Sequence, residues 1–228
     1  MNEVGDLSSQ PPVVFPSQNE ALRFFDELQP AMPDEMIGLW QGHGIATGHP
    51  LDGVLENLGW YGKRVHPGLR ADALLFRAGP RRLAAIDPAR IPLRLALRLS
   101  RFGRTRIARN WFTYLQRVLR ASAPVAKLKP LSFRGETSTA MIYDRKPIID
   151  HFRRIDDGTV IGAMVVEGDE RVFFFLLRQT SPGRRGHDRG QTPLEASACS
   201  YNIMPRRRPV ALEGGRKCRS TMFYGRVR

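Results

Sequence analysis

The 228-residue chain is 42% apolar and carries 36 Lys and Arg against 22 Asp and Glu, enough length and apolar content for an ordinary buried core. Its longest clear apolar run, Val172 to Leu177, has six residues, far short of the roughly 20 that a membrane-spanning helix needs. The acidic opening Met1-Asn-Glu-Val-Gly-Asp6 has no apolar stretch behind it, and two cysteines, Cys199 and Cys218, are too few for a secreted disulfide framework. These features predict a cytoplasmic protein.

The net charge of +14 is unevenly placed. Residues 179–228 hold 11 Lys and Arg against three acids, which is +8, and leave +6 for the first 178 residues. The body is therefore only mildly basic. The tail's Arg206-Arg-Arg208 and Arg216-Lys217 lack the interleaved aromatics of a single-strand nucleic-acid binder. No specific nucleic-acid partner is expected.

Residues 1–16 are rich in Pro and Ser and are expected to be flexible. Ser17-Gln-Asn-Glu20 is a capping box, and Ala21, Phe24, Phe25 and Leu28 follow at helical spacing, predicting a helix over 18–28 that Pro30 and Pro33 end. Glycine-rich Met36 to Thr47 reads as the first strand, Leu51 to Leu58 as a short helix and Trp60 to Val65 as extended chain. Ala73 to Arg77 and Leu83 to Ile86 read as strands around a Gly79-Pro80 turn. Leu95, Leu99 and Phe102, then Ile107, Trp111, Tyr114, Leu115 and Val118 after Gly103, predict helices, although Leu93 to Leu99 also alternates with a period of two. From Lys129 to Arg178, short strands are punctuated by Tyr143–Pro147, Asp156–Gly158 and Glu167–Asp169, the pattern of a meander that closes on itself or packs as a sandwich.

The fold class that follows is mainly β (α+β): a small antiparallel β-barrel or barrel-like sheet, with an N-terminal helix and a helical insertion near 90–120. Residues 17–89 and 90–178 are expected to form one unit. Residues 179–228, aperiodic and rich in Gly, Pro, Arg and Ser, are expected to be a disordered basic tail.

Gly38-Leu-Trp-Gln-Gly-His-Gly44 is the most distinctive stretch; a Gly-x-Trp on a first strand lets a large indole pack across one end of a small barrel. With Leu51-Asp-Gly-Val-Leu-Glu-Asn-Leu-Gly-Trp-Tyr-Gly-Lys-Arg64 it resembles the GXWXG protein family. Phe133-Arg-Gly135, Thr139–Asp144, Pro147–Asp150, Phe152-Arg153 and Thr159–Gly162 resemble the domain of unknown function 4334 that usually follows it. The resemblance covers about 34–178 and implies a compact, two-part, β-rich unit without naming an activity. The opening Gly-x-Trp-x-Gly also resembles lipocalin, fatty-acid-binding and nitrobindin barrels over a short stretch. Nitrobindin-like barrels hold haem through a histidine near the barrel's end, whereas the body here has no histidine after His151. No cofactor is expected.

Gly42-x-Gly44-x-x-x-Gly48 superficially matches a dinucleotide loop, but Pro50 follows at once and no βαβ unit surrounds it. His43, His49 and His66 stand at spacings that fit no compact ligand pattern, and no metal site is expected from them. Arg134, Tyr143, Asp144, Asp150, His151 and Arg153 crowd one β-rich stretch. Inside a barrel, Arg134 or Arg153 would hold an acidic or carbonyl headgroup, and Asp144, Asp150 or His151 would move a proton; the bland alternative is a buried Arg–Asp pair with turn-forming aspartates. Trp40, Trp60, Arg134, Tyr143 and Arg153 are the expected ligand contacts. The expected function is binding of a small lipophilic molecule in the barrel, with general acid–base catalysis on a hydrophobic substrate as the alternative. Residues 88–135 hold 12 Lys and Arg and no acid, and the stripe of Arg94, Arg98 and Arg101 opposite Leu95, Leu99 and Phe102 is a candidate contact with an anionic membrane surface.

Overall fold

Strand alternation sets which residues meet. In the computed structural model, which describes residues 14–92 and 97–180, Phe173, Phe175 and Leu177 of the last strand face one core, while Val172 and Phe174 face another. Ten strands are present among the described residues: β1 (Gln29–Pro30), β2 (Gly38–Ile45), β3 (Trp60–Val65), β4 (Arg70–Arg77), β5 (Leu83–Ala85), β6 (Ala126–Phe133), β7 (Glu136–Tyr143), β8 (Ile148–Asp156), β9 (Thr159–Val166) and β10 (Asp169–Gln179). Eight of them run β8-β7-β6-β4-β3-β2-β10-β9, and a β8–β9 pairing closes the ring. Every pairing is antiparallel. The result is a closed eight-stranded barrel, which leaves no free sheet edge around its wall.

β1 and β5 stand beside the ring. β7 pairs with β8 only from Ala140↔His151 to Ile142↔Ile149, and where the two part, β1 takes over with Gln29↔Arg154 and Pro30↔Arg153. Ser138 Oγ fastens this junction by donating to the Phe152 carbonyl at 2.7 Å and accepting from the Ala31 amide at 2.8 Å. The proline expected only to end a helix therefore also serves as a sheet edge, where its missing N–H costs nothing.

Helix α1 (Gln18–Asp26) starts at Ser17, whose side chain accepts from the Glu20 amide, as the capping pattern predicts. Its Ala21 and Phe25 are buried against Ile161, Ala163 and Phe174 on the outside of the barrel wall. The strand expected from Met36 is β2 and begins at Gly38, because Pro33–Met36 forms a 3-10 turn. In the 90–120 region the described helices are short: α3 (Ser100–Gly103) and α4 (Arg106–Leu115), after a 3-10 turn at Pro88–Arg90. They pack on α2 (Val54–Asn57), where Asn57 Nδ2 donates to the Gly103 and Thr105 carbonyls at 2.8 and 2.9 Å. Phe112 of α4 meets Phe76 edge-on at 4.7 Å. No helix among the described residues is long and apolar enough to cross a membrane. The expectations for residues 1–13, for 93–96 including Arg94 and Leu95, and for 181–228 fall outside the described residues.

Candidate ligand-binding site

The inside of the barrel is mostly apolar, with one cluster of buried charged and polar side chains. Lys63 on β3, Tyr143 on β7 and Asp150 on β8 meet there, with relative exposures of 2%, 5% and 0%. The Lys63 ammonium donates to Asp150 Oδ2 at 2.7 Å, to the Ala73 carbonyl at 3.0 Å and to the Tyr143 hydroxyl at 3.1 Å. All three of its protons are thereby used. The Tyr143 hydroxyl donates in turn to Asp150 Oδ2 at 3.0 Å. Burial, the adjacent Asp150 charge and that hydrogen bond push the Tyr143 pKa well above 10, so the phenol stays protonated and acts as a donor. Phe175 forms the neighbouring wall, its ring centroid 4.9 Å from Lys63 Nζ.

Two polar atoms here have no partner. Asp150 Oδ1 is buried and accepts no hydrogen bond, and the Trp60 Nε1–H, also buried, donates none. Trp60 stands edge-on to Phe175 at 5.9 Å. A buried polar atom left unpaired costs about 1–3 kcal/mol, so this interior is less stable than an all-apolar packing of the same shape would be.

Lys63 owes its direction to irregular pairing. The β3–β4 register shifts between Trp60 and Gly62 and again between Gly62 and Arg64, so Trp60 and Lys63, three apart, both turn inward. Trp40 stands opposite Lys63 in the β2–β3 register, 2% exposed, and its indole N–H donates to the Met36 carbonyl at 2.7 Å. Glycines accommodate the large rings. A Cβ at Gly42 would stand 2.7 Å from Trp60 Cζ3, and one at Gly162 would stand 2.8 Å from Phe175 Cε1.

Of the residues singled out in the sequence, Trp40, Trp60, Tyr143 and Asp150 face this interior. The others do not. Arg134 and Gly135 are the two turn residues between Phe133 and Glu136, with φ of 53° and 82°. That position puts the Arg134 guanidinium outside the barrel, in a two-pronged pair with Asp26 of α1 at 2.7 Å. Arg153 alternates to the outer face of β8 and lies beneath α1, its guanidinium 5.0 Å from the Phe25 ring and donating to the Phe133 carbonyl. Neither guanidinium therefore enters the interior, where a headgroup contact was expected of it.

Asp144 sits in the exposed β7–β8 turn and pairs with Arg70, whose hydrogen bonds hold its pKa below 3.8. His151 also faces outward, stacked on Phe133 at 4.0 Å. Burial lowers its pKa to about 4 against the opposing pull of Asp150, so it is neutral at pH 7. Sequence reasoning missed Lys63, because a lysine next to an arginine in a strand reads as solvent-facing.

The three histidines lie apart in role. His43 is on β2 opposite Leu176. His49 Nδ1 accepts from the Leu51 amide while its ring packs on Phe173, and His66 Nε2 lies 3.2 Å from Asp72. No group of three potential metal ligands occurs among the described residues. Near the β7–β8 and β9–β10 turns a cleft of about 760 Å³ has Leu97, Pro147 and Val166 among its walls, with charges of both signs from Arg98, Lys146, Glu167, Asp169 and Arg171.

Residues 23–79 match the family model of GXWXG protein, and residues 124–179 match that of the domain of unknown function DUF4334. The chain carries both segments, in that order. The motif letters fall on Gly38, Trp40 and Gly42, so its tryptophan is the buried indole of β2 and its last glycine makes room for Trp60. Neither segment is a barrel alone. The GXWXG segment supplies β2, β3 and β4, the DUF4334 segment supplies β6 to β10, and the wall closes through β2–β10 and β4–β6. Lys63 and Asp150 join one segment to the other inside that wall. A crystal structure of a protein from Thermomonospora curvata is similar, at 28% identity and a TM-score of 0.53, over 73% of this chain and 90% of that one. No curated protein matches the chain.

Proposed function

We propose that the barrel binds a small lipophilic molecule bearing one hydroxyl, amide or carbonyl group. One observation carries the reading: Asp150 Oδ1 is left unpartnered beside the Lys63 and Tyr143 donors, in an interior lined mainly by Phe, Trp, Met and Leu. A ligand N–H or O–H would satisfy Oδ1, and a ligand carbonyl would accept from the Trp60 indole. The apolar body would pack on Phe173 and Phe175, as ligands do in barrels of this size. Eight-stranded closure with an apolar inner face supports the reading.

A second reading has the same site perform acid–base catalysis on such a molecule, favoured by the Tyr143–Asp150 hydrogen bond and the free lone pairs of Oδ1. Native mass spectrometry of the purified protein, paired with titration of a polarity-sensitive fluorescent fatty acid and the corresponding alcohol, tests binding. Saturable one-to-one uptake that Asp150→Asn weakens per folded molecule is the expected result. Absence of both a retained molecule and saturable uptake in the wild type would reject the proposal. Chemical conversion of the retained molecule would establish the catalytic reading instead.

A further inference from the structure

Helix α4 has three faces where a surface helix has two. Ala108, Phe112 and Gln116 turn inward and are buried. Arg106, Arg109, Asn110, Thr113 and Arg117 make an exposed polar face. The third face, Ile107, Trp111, Tyr114 and, just past the helix, Val118, is apolar and 60%, 63%, 78% and 67% exposed. Their spacing of four, three and four residues places them on one line along the helix. Leu99 and Phe102 of the adjoining α3 region add 49% and 48% exposed apolar side chains. Isolated exposed apolar residues are ordinary, but an aligned row of aromatic and aliphatic side chains marks an interaction surface.

Charge decides the partner. Residues 88–135 contain no acid; Arg106, Arg109 and Arg117 are exposed on one flank of the row, and Arg98, Arg101 and Arg120 are exposed in the adjoining segments. On the polar flank of α4 a cleft of about 540 Å³ is lined by Arg77, Arg82, Arg117 and Arg120 with no carboxylate among its walls. A second copy seated two-fold on this row would set arginine against arginine. Residues 181–228 are themselves basic and offer no complement. An anionic bilayer does. Trp and Tyr favour the level of the headgroups, aliphatic side chains reach the acyl boundary, and arginines neutralise lipid phosphates.

We infer that α3–α4 is a membrane-docking surface which lays Trp111 and Tyr114 into the interface of an anionic bilayer. This stands independently of any ligand inside the barrel. The test is flotation of the full chain with phosphatidylcholine vesicles and with vesicles containing an equal share of phosphatidylglycerol, read alongside tryptophan emission. Trp40 and Trp60 are buried and Trp111 is exposed, so insertion shows as a blue shift that Trp111→Phe removes.

The expected result is binding to the anionic vesicles, weakened about tenfold or more by Trp111→Ser/Tyr114→Ser, with melting temperature unchanged. Arg109→Gln/Arg117→Gln should weaken binding and flatten its salt dependence. No binding to anionic vesicles would overturn the inference. So would binding that the α4 variants leave intact, which would assign it to the basic C-terminal residues. A sedimentation dimer that Trp111→Ser/Tyr114→Ser dissolves, without vesicle binding, would give the face to a second copy and likewise overturn it.

Discussion

The Trp60 indole fills the space that a side chain on Gly42 would occupy: a Cβ there would lie 2.7 Å from Cζ3 and 2.8 Å from Cζ2. The ring is 6% exposed and held edge-on by Phe175, so it has no room to retreat. Gly42→Ala should therefore destabilise the protein by about 1–3 kcal/mol through overpacking. Gly68→Ala, where nothing lies within 4 Å of the added Cβ, is the control and should be near neutral. Urea denaturation of the two variants checks this; equal midpoints would show that Trp60 is free to move.

The Lys63–Asp150 pair predicts a thermodynamic cycle. Lys63→Met or Asp150→Leu alone leaves one buried charge without its counterpart, at a cost of about 3–5 kcal/mol. The double variant Lys63→Met/Asp150→Leu removes both charges and should be no less stable than either single one, so the costs will not add. Chemical denaturation of the wild type and three variants measures the coupling. Strictly additive losses would mean that the two charges do not see one another.

His151 predicts the acid limb of the stability curve. Its pKa falls from 6.5 to about 4 on folding, chiefly by burial. Between these values the unfolded chain binds more protons than the folded one, so stability drops as pH falls from 6.5 to 4 and this contribution is constant below. The loss amounts to at most about 3 kcal/mol. His151→Leu keeps an apolar group against Phe133 and should flatten that part of the curve. Melting temperatures of both proteins across this range test it, and parallel curves would remove His151 as the cause.

Arg134 predicts little. Its side chain is 40% exposed and paired with that of Asp26, 32% exposed, and such surface pairs contribute about 0–1 kcal/mol. Arg134→Met should change stability by less than about 1 kcal/mol and leave ligand uptake by the barrel unaltered. A collapse of uptake in that variant would place the arginine in the site after all.

Local patterns determined much of this protein. The Ser17–Glu20 capping pattern predicted α1, and the turn residues at 143–147, 156–158 and 167–169 set the hairpins from β7 to β10, because capping and turn chemistry act between near neighbours. The Gly38–Gly44 stretch was legible as a strand carrying an indole, Trp40, although its Gly42 makes room for the ring of Trp60 on the next strand. Tertiary structure decided the rest. Alternation assigns Asp150 and Arg153 to opposite faces, but only closure of the ring says which face is inside. Lys63 meets Asp150 across 87 positions of sequence, through shifted pairing in β3 that no local signal announces. Arg134 turned outward because it and Gly135 had to make a two-residue turn. A charged residue's partner depends on which strands become neighbours, and that is fixed by closure of the whole barrel rather than by any segment of it.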